Sequence, residues 1–222
     1  MKRSLIVAAA SFSLVSSAAR AALAQDPVEA APPAAPSAAV ASASDTTEDV
    51  HNGILFRAEL GLGYLTASEG PATFNGLTGF AGVALGGAIN NFVVAAHLYD
   101  AVVVNPSISV SGGASQTSSA TVTAFGIGPE FGYYFPQTNL YLSVTPALTT
   151  LSVSNNGQSV DAGVGYGGRL AFGGEAKVGD HWGLGVLGGL SYASNNDTTG
   201  QAIHTVAFSV SFSATYNSFR GD

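Results

Sequence analysis

From about residue 53 the chain alternates bulky apolar residues with small or polar ones, and this period of two recurs in segment after segment. No helical stripe survives beyond a turn or so, so the region reads as all β. The first segment, Gly53–Leu65, sets Ile54, Phe56, Ala58, Leu60, Leu62 and Tyr64 against Arg57, Glu59, Gly61 and Gly63. Further segments follow at Leu77–Ile89, Phe92–Val104, Ala120–Phe135, Leu140–Val153, Gly163–Val178, Trp182–Ser194 and Ile203–Tyr216. The sixth alternates Val164, Tyr166, Leu170, Phe172, Ala176 and Val178 with glycines and with Arg169, Glu175 and Lys177. Each segment is longer than the roughly 9–11 residues that a tilted membrane strand requires.

Eight such segments predict an eight-stranded antiparallel up-and-down β-barrel. The links after the second, fourth and sixth segments are short, near Asn90, Gln137 and Asp180. Those after the first, third, fifth and seventh are longer, at 66–76, 105–119, 154–162 and 195–202. In transmembrane barrels short turns face the periplasm and long loops face outside. A soluble barrel has the same alternation but must keep its small-residue face wet with charge. Past residue 24 the chain has only Arg57, Arg169, Lys177 and Arg220 as basic residues, and three of the four fall on the small-residue face. The pattern therefore predicts that this face is the lumen and that the apolar face meets lipid.

The N-terminal part has a different texture. Lys2 and Arg3, the apolar run Leu5–Val15 and the small-x-small pattern Ala22-Leu23-Ala24 predict a secretory signal peptide over residues 1–24. Residues 25–52 are rich in Ala, Pro, Ser, Thr and acid, and predict a disordered periplasmic tether. Cleavage would leave four basic side chains against fourteen acidic ones, a formal charge of −10, which argues against a nucleic-acid partner. With no cysteine, a disulfide framework, a thiolate nucleophile and a lipid anchor at a cleavage cysteine are all excluded.

Gly126-Ile-Gly-Pro-Glu-Phe-Gly-Tyr-Tyr-Phe-Pro136, the run Asn139-Leu-Tyr-Leu-Ser, Val178-Gly-Asp-His-Trp-Gly-Leu-Gly-Val and the closing Thr205–Tyr216 run resemble the outer-membrane β-barrel family of OmpA-like transmembrane domains. The resemblance covers Gly53 to Tyr216. It implies an integral bacterial outer-membrane protein, surrounded by lipid and inserted by the barrel-assembly machinery. Such barrels often end on an aromatic residue that serves as the assembly signal. Here a tail, 217–222, follows Tyr216, so Tyr216 or Phe219 would have to serve.

On the lumen face Arg57, Arg169 and Lys177 balance Glu59, Glu130 and Glu175. Because an eight-stranded barrel is just wide enough for its side chains to fill, these six predict a salt-bridged plug in the periplasmic half. Tyr64, Phe92, Phe135, Trp182, Tyr192 and Tyr216 fall near strand ends, where interfacial aromatic girdles sit. His204, with Thr205, Ser209 and Asp197 nearby, is the one group that evokes hydrolysis, but no spacing marks it as a catalytic set. His51, His97 and His181 lack metal-ligand spacing, Asp161 and Asp197 do not form a calcium loop, and no cofactor signature is present. The sequence thus predicts a monomeric, non-enzymatic barrel with a structural or surface-interaction role. A narrow passive pore for small solutes is the alternative.

Overall fold

The computed structural model describes residues 50–221, apart from 112, 114, 156, 157, 162 and 198 and the side chains of 158, 160 and 219–221. The expected signal peptide and nearly all of the expected tether lie outside these residues. The strands are β1 Val50–Glu69, β2 Ala72–Ile89, β3 Phe92–Val104, β4 Ser107–Val110, β5 Gln116–Thr117, β6 Thr121–Phe135, β7 Leu140–Asn155, β8 Gln158–Asp161, β9 Gly165–Lys177, β10 Trp182–Asn196 and β11 Ala202–Gly221. Eight of them (β1, β2, β3, β6, β7, β9, β10 and β11) pair antiparallel with their neighbours in chain order, and β1 pairs with β11 to close the barrel. Closure leaves no unpaired edge along the wall.

The registers also fix the tilt. Starting at Ala58 and following partners through Val83, Leu98, Ile127, Leu148, Tyr166, Ser194 and His204, the path returns to β1 at Ser68, ten residues further along. A stagger of this size on eight strands corresponds to a tilt of about 35–45° and leaves an interior that side chains can fill.

One end carries short turns. Asn90 and Asn91 both adopt positive φ, 48° and 70°, as a two-residue hairpin turn needs. The side chains of Asn52 and Asn91 accept hydrogen bonds from the backbone N–H groups of Asn90 and His51, at 2.8 and 2.7 Å, and tie that turn to the start of β1.

The other end differs from the sequence expectation. The link expected at 66–76 is mostly strand, with β1 and β2 continuing as a paired ribbon to a turn at Gly70-Pro71. Within 105–119, β4 adds to β2 and β5 to β4, and β8 folds back on β7. In these ribbons most side chains on both faces are half-buried, so the apolar alternation that marks the wall strands fades there and Ser, Thr and Asn read as loop. The last strand also runs on to Gly221, through residues expected to be a tail, with Asn217 opposite Leu55 and Phe219 opposite Asn52.

Burial is inverted relative to a water-soluble protein. Leu62, Leu77 and Phe212 point outward and are 75–81% exposed, while Arg57 and Glu130 are 0% exposed. Two buried apolar clusters fill the lumen. Leu65, Phe80, Tyr99, Val103, Val122, Leu151 and Ile203 belong to the hairpin half, and Leu55, Val93, Tyr134, Tyr141 and Leu187 to the turn half.

Candidate functional site

The charged centre lies between those two clusters. Arg57 and Glu59 are two apart on β1, so the pleat turns both inward, and Arg57 Nε donates to Glu59 Oε1 at 3.0 Å. Arg57 Nη2 reaches across the lumen to Glu130 Oε1 on β6. Arg169 Nη2 on β9 donates to Glu59 Oε2 at 2.8 Å, and Ser211 Oγ on β11 donates to the same oxygen at 3.4 Å. The Tyr141 hydroxyl donates to Glu130 Oε1 at 2.8 Å, and Glu130 Oε2 lies 3.0 Å from His97 Nδ1, which is itself 3.2 Å from Thr145 Oγ1.

Aromatic faces complete the cage. The Arg57 guanidinium stacks over Tyr141 at 4.5 Å from the ring centre, and that of Arg169 over Phe80 at 4.6 Å. Glycines on neighbouring strands make the room. A Cβ on Gly126, Gly132 or Gly189 would lie 2.7 Å from Tyr99 Oη, 2.6 Å from Tyr141 Cζ and 2.8 Å from Arg169 Nη2 respectively. Two arginines and two glutamates, paired this closely, cancel one another's charge where water does not reach.

Of the six lumen charges expected from the sequence, Arg57, Glu59, Glu130 and Arg169 come together. They do so at mid-height, between the two apolar clusters, and not in the turn half. Glu175 is buried near the turn end in a set of its own, where it accepts hydrogen bonds from Tyr134 Oη at 3.0 Å and from Thr215 Oγ1. Tyr134 stacks on His51, ring centres 3.8 Å apart, and these rings cap the turn end of the lumen. Lys177 is exposed at the end of β9. His97, Tyr141, Tyr134, Thr145 and Ser211 were not among the expected site residues.

All six girdle candidates lie on the outward face. Phe92 opens β3, Phe135 closes β6, and Trp182 opens β10 edge-on to Tyr216 at 5.4 Å. Tyr64 donates to Asn75 Oδ1 at 3.1 Å, and Tyr192 Oη lies 3.0 Å from His204 Nδ1. That contact draws His204 outward, whereas Thr205 and Ser209 are buried inside the lumen, so the hydrolytic group considered from the sequence is split across the wall. Asp197 sits in the turn between β10 and β11. The hydroxyl of Thr199 and the backbone N–H groups of Thr199 and Gln201 donate to its carboxylate, which holds it below the usual range. Among the described residues no group of three or more His, Asp or Glu is arranged to hold a metal ion.

No protein-family model matches this chain, and no curated protein matches it. Solved structures do. Neisserial surface protein A aligns over 74% of this chain and 96% of its own, at 16% identity and a TM-score of 0.51. The outer-membrane protein OprG of Pseudomonas aeruginosa aligns over 76% and 99% at 11% identity, with a TM-score of 0.44. Ail, the attachment invasion locus protein of Yersinia pestis, aligns over 72% and 98% at 10% identity, with a TM-score of 0.37. Together with the closed, inverted, eight-stranded wall, the first of these likenesses gives the chain the fold of the small outer-membrane β-barrels.

Proposed function

We propose that this protein is an integral outer-membrane barrel whose wall is a scaffold for the hairpins at its long end, and whose lumen is closed to solutes by the Arg57–Glu59–Glu130–Arg169 network. The observation that carries the reading is the burial of that network. All four side chains are 0–2% exposed, with an apolar cluster above and rings of Tyr134, Tyr141 and His51 below. A conducting lumen would have to hydrate these groups, and here each finds its partner in another strand. The apolar outer face supports a membrane setting, since a closed barrel pairs its backbone groups from strand to strand without water. The outward aromatic residues at the strand ends support interfacial girdles. The hairpin end is rich in Ser, Thr, Gly and Asn and carries no Lys or Arg within 66–76, 105–119, 154–162 or 195–202, which favours a hydroxyl-rich surface without cationic groups facing outward.

The absence of native cysteine makes the orientation directly testable. A membrane-impermeant maleimide applied to intact cells is expected to label Ser115→Cys, in the β4–β5 hairpin, and to label Asp180→Cys, in a short turn, only after the outer membrane is opened. Labelling of the Asp180→Cys variant on intact cells, with Ser115→Cys protected, would place the hairpins on the inner side and remove the surface role.

A further inference from the structure

Above the charged centre, in the hairpin half of the lumen, a recess of about 20 Å³ remains between β3, β6 and β7 on one side and β10 and β11 on the other. It exists because Ala101, Ala124, Ala193 and Ala207 put only methyl groups there. Six hydroxyl-bearing residues line it; Thr150 and Tyr192 are on the exposed outer face, and Tyr99, Thr149, Ser191 and Thr205 are on the inner one. Thr149 Oγ1 donates to Asn195 Oδ1 at 3.2 Å, and Ser191 Oγ donates to the Ala207 carbonyl at 3.4 Å, so each keeps lone pairs available. Tyr99 Oη and Thr205 Oγ1 belong to residues only 7% and 4% exposed, and neither meets a hydrogen-bond partner among the described residues.

We infer that this recess is a binding site for a single internal water molecule, held between Tyr99 and Thr205. The volume satisfies the requirement for one water, roughly 10–15 Å³, and leaves no room for a larger solute. Donors and acceptors are both present, so water can accept a hydrogen bond from the Tyr99 hydroxyl and donate to the threonine and serine oxygens. No charged side chain lines the recess, and the arginines beneath it are ion-paired with Glu59 and Glu130, which favours a neutral molecule there over a halide.

Two measurements on the full-length folded protein test the site. The first is a crystal structure in detergent, grown with bromide as the only halide, at a resolution that shows ordered water. A peak within hydrogen-bond distance of Tyr99 Oη and Thr205 Oγ1, without bromide anomalous signal, is the expected result. An empty recess, or an anomalous peak in it, would overturn the assignment. The second is the sign of the thermal shift in Thr205→Val, a nearly isosteric change. Removing a hydroxyl that holds a water is expected to lower the unfolding midpoint, whereas removing a buried hydroxyl with no partner raises it, and a raised midpoint would contradict the site.

Discussion

Glu130→Ala is expected to cost about 3–5 kcal/mol of barrel stability, the range for removing one partner of a buried ion pair. Glu130 receives Arg57 and Tyr141 at once, and His97 Nδ1 lies 3.0 Å from its other oxygen. Its loss leaves Arg57 buried with only Glu59, which Arg169 already engages. No solvent is at hand to compensate, because Arg57 and Glu130 are both 0% exposed. Glu130→Gln keeps the volume and an acceptor for Tyr141, so its cost should be clearly smaller. The comparison is made by urea unfolding of the refolded protein in lipid vesicles, followed by Trp182 fluorescence and by band shift on a gel. If both variants unfold at the wild-type urea concentration, the network contributes nothing to the fold and its description as a plug fails.

Pro146→Val is expected to act in the other direction, stabilising the barrel by up to about 1 kcal/mol, the part of one regained hydrogen bond that outlasts the loss of proline's stiffness. The ladder between β6 and β7 is paired from Thr121/Ser154 to Ile127/Leu148 and again from Phe131/Val144 to Phe135/Leu140, with no pairs between. Counting inward from either side places Pro129 opposite Pro146. A Cβ at Gly128 would overlap the Pro146 carbonyl oxygen, which is therefore directed into the seam toward the nitrogen of Pro129. In a hydrogen-bonded antiparallel pair the two residues exchange both N–H···O bonds, and here neither has an N–H to give. The amide that Pro146→Val introduces would donate to the Pro129 carbonyl. One restored bond is worth about 0.5–1.5 kcal/mol in water and more where an unmet carbonyl faces hydrocarbon, against about 0.4–1 kcal/mol for losing the chain stiffness of proline. The same unfolding measurement checks it. A destabilised Pro146→Val would mean that the seam is shaped around the prolines and that no hydrogen bond is regained.

The wall is largely legible in the sequence because each wall strand has one apolar outer face and one lumen face, and the contrast between them is strong. On β1 Leu60 and Leu62 alternate with Glu59 and Gly61, and the inward phase of Arg57 follows at once. Glu130 is readable for the same reason, between Phe131 and the glycines of β6. His97 was not, because β3 puts Val and Ala on both faces, Val93 with Val94 and Ala95 with Ala96, so its phase is ambiguous until Tyr99 and Asp100 are placed. Phe80 runs against the rule that bulky residues face lipid. It points inward in phase with Thr78, Gly82 and Ala84, and the Arg169 guanidinium lies on its face. Which charge meets which was beyond the sequence altogether. That depends on the ten-residue stagger, which raises β9 relative to β1 and brings Arg169 to Glu59 while leaving Glu175 with Tyr134 near the turn end.

The hairpins have the sequence texture of loops because pattern follows environment. Residues 72–75 and 107–110 pair as regularly as the wall, yet their side chains are partly wet on both faces, and the alternation in Ser107-Ile-Ser-Val110 is too short to mark a wall strand. The prolines of the β6–β7 seam are a further instance. Proline in a strand interior ordinarily argues for an edge, and a closed barrel has none, so local chemistry and global topology disagree at that one place.

The claim that the lumen is closed is tested most directly by single-channel recording of the wild-type barrel in a planar bilayer, after refolding is verified by heat-modifiable migration. A folded protein that inserts and produces no discrete conductance steps is the result predicted by a lumen filled from Tyr134 to Ile203. Reproducible unitary currents from the folded wild type would contradict it, and would mean that the Arg57–Glu130 and Arg169–Glu59 pairs part to let ions through.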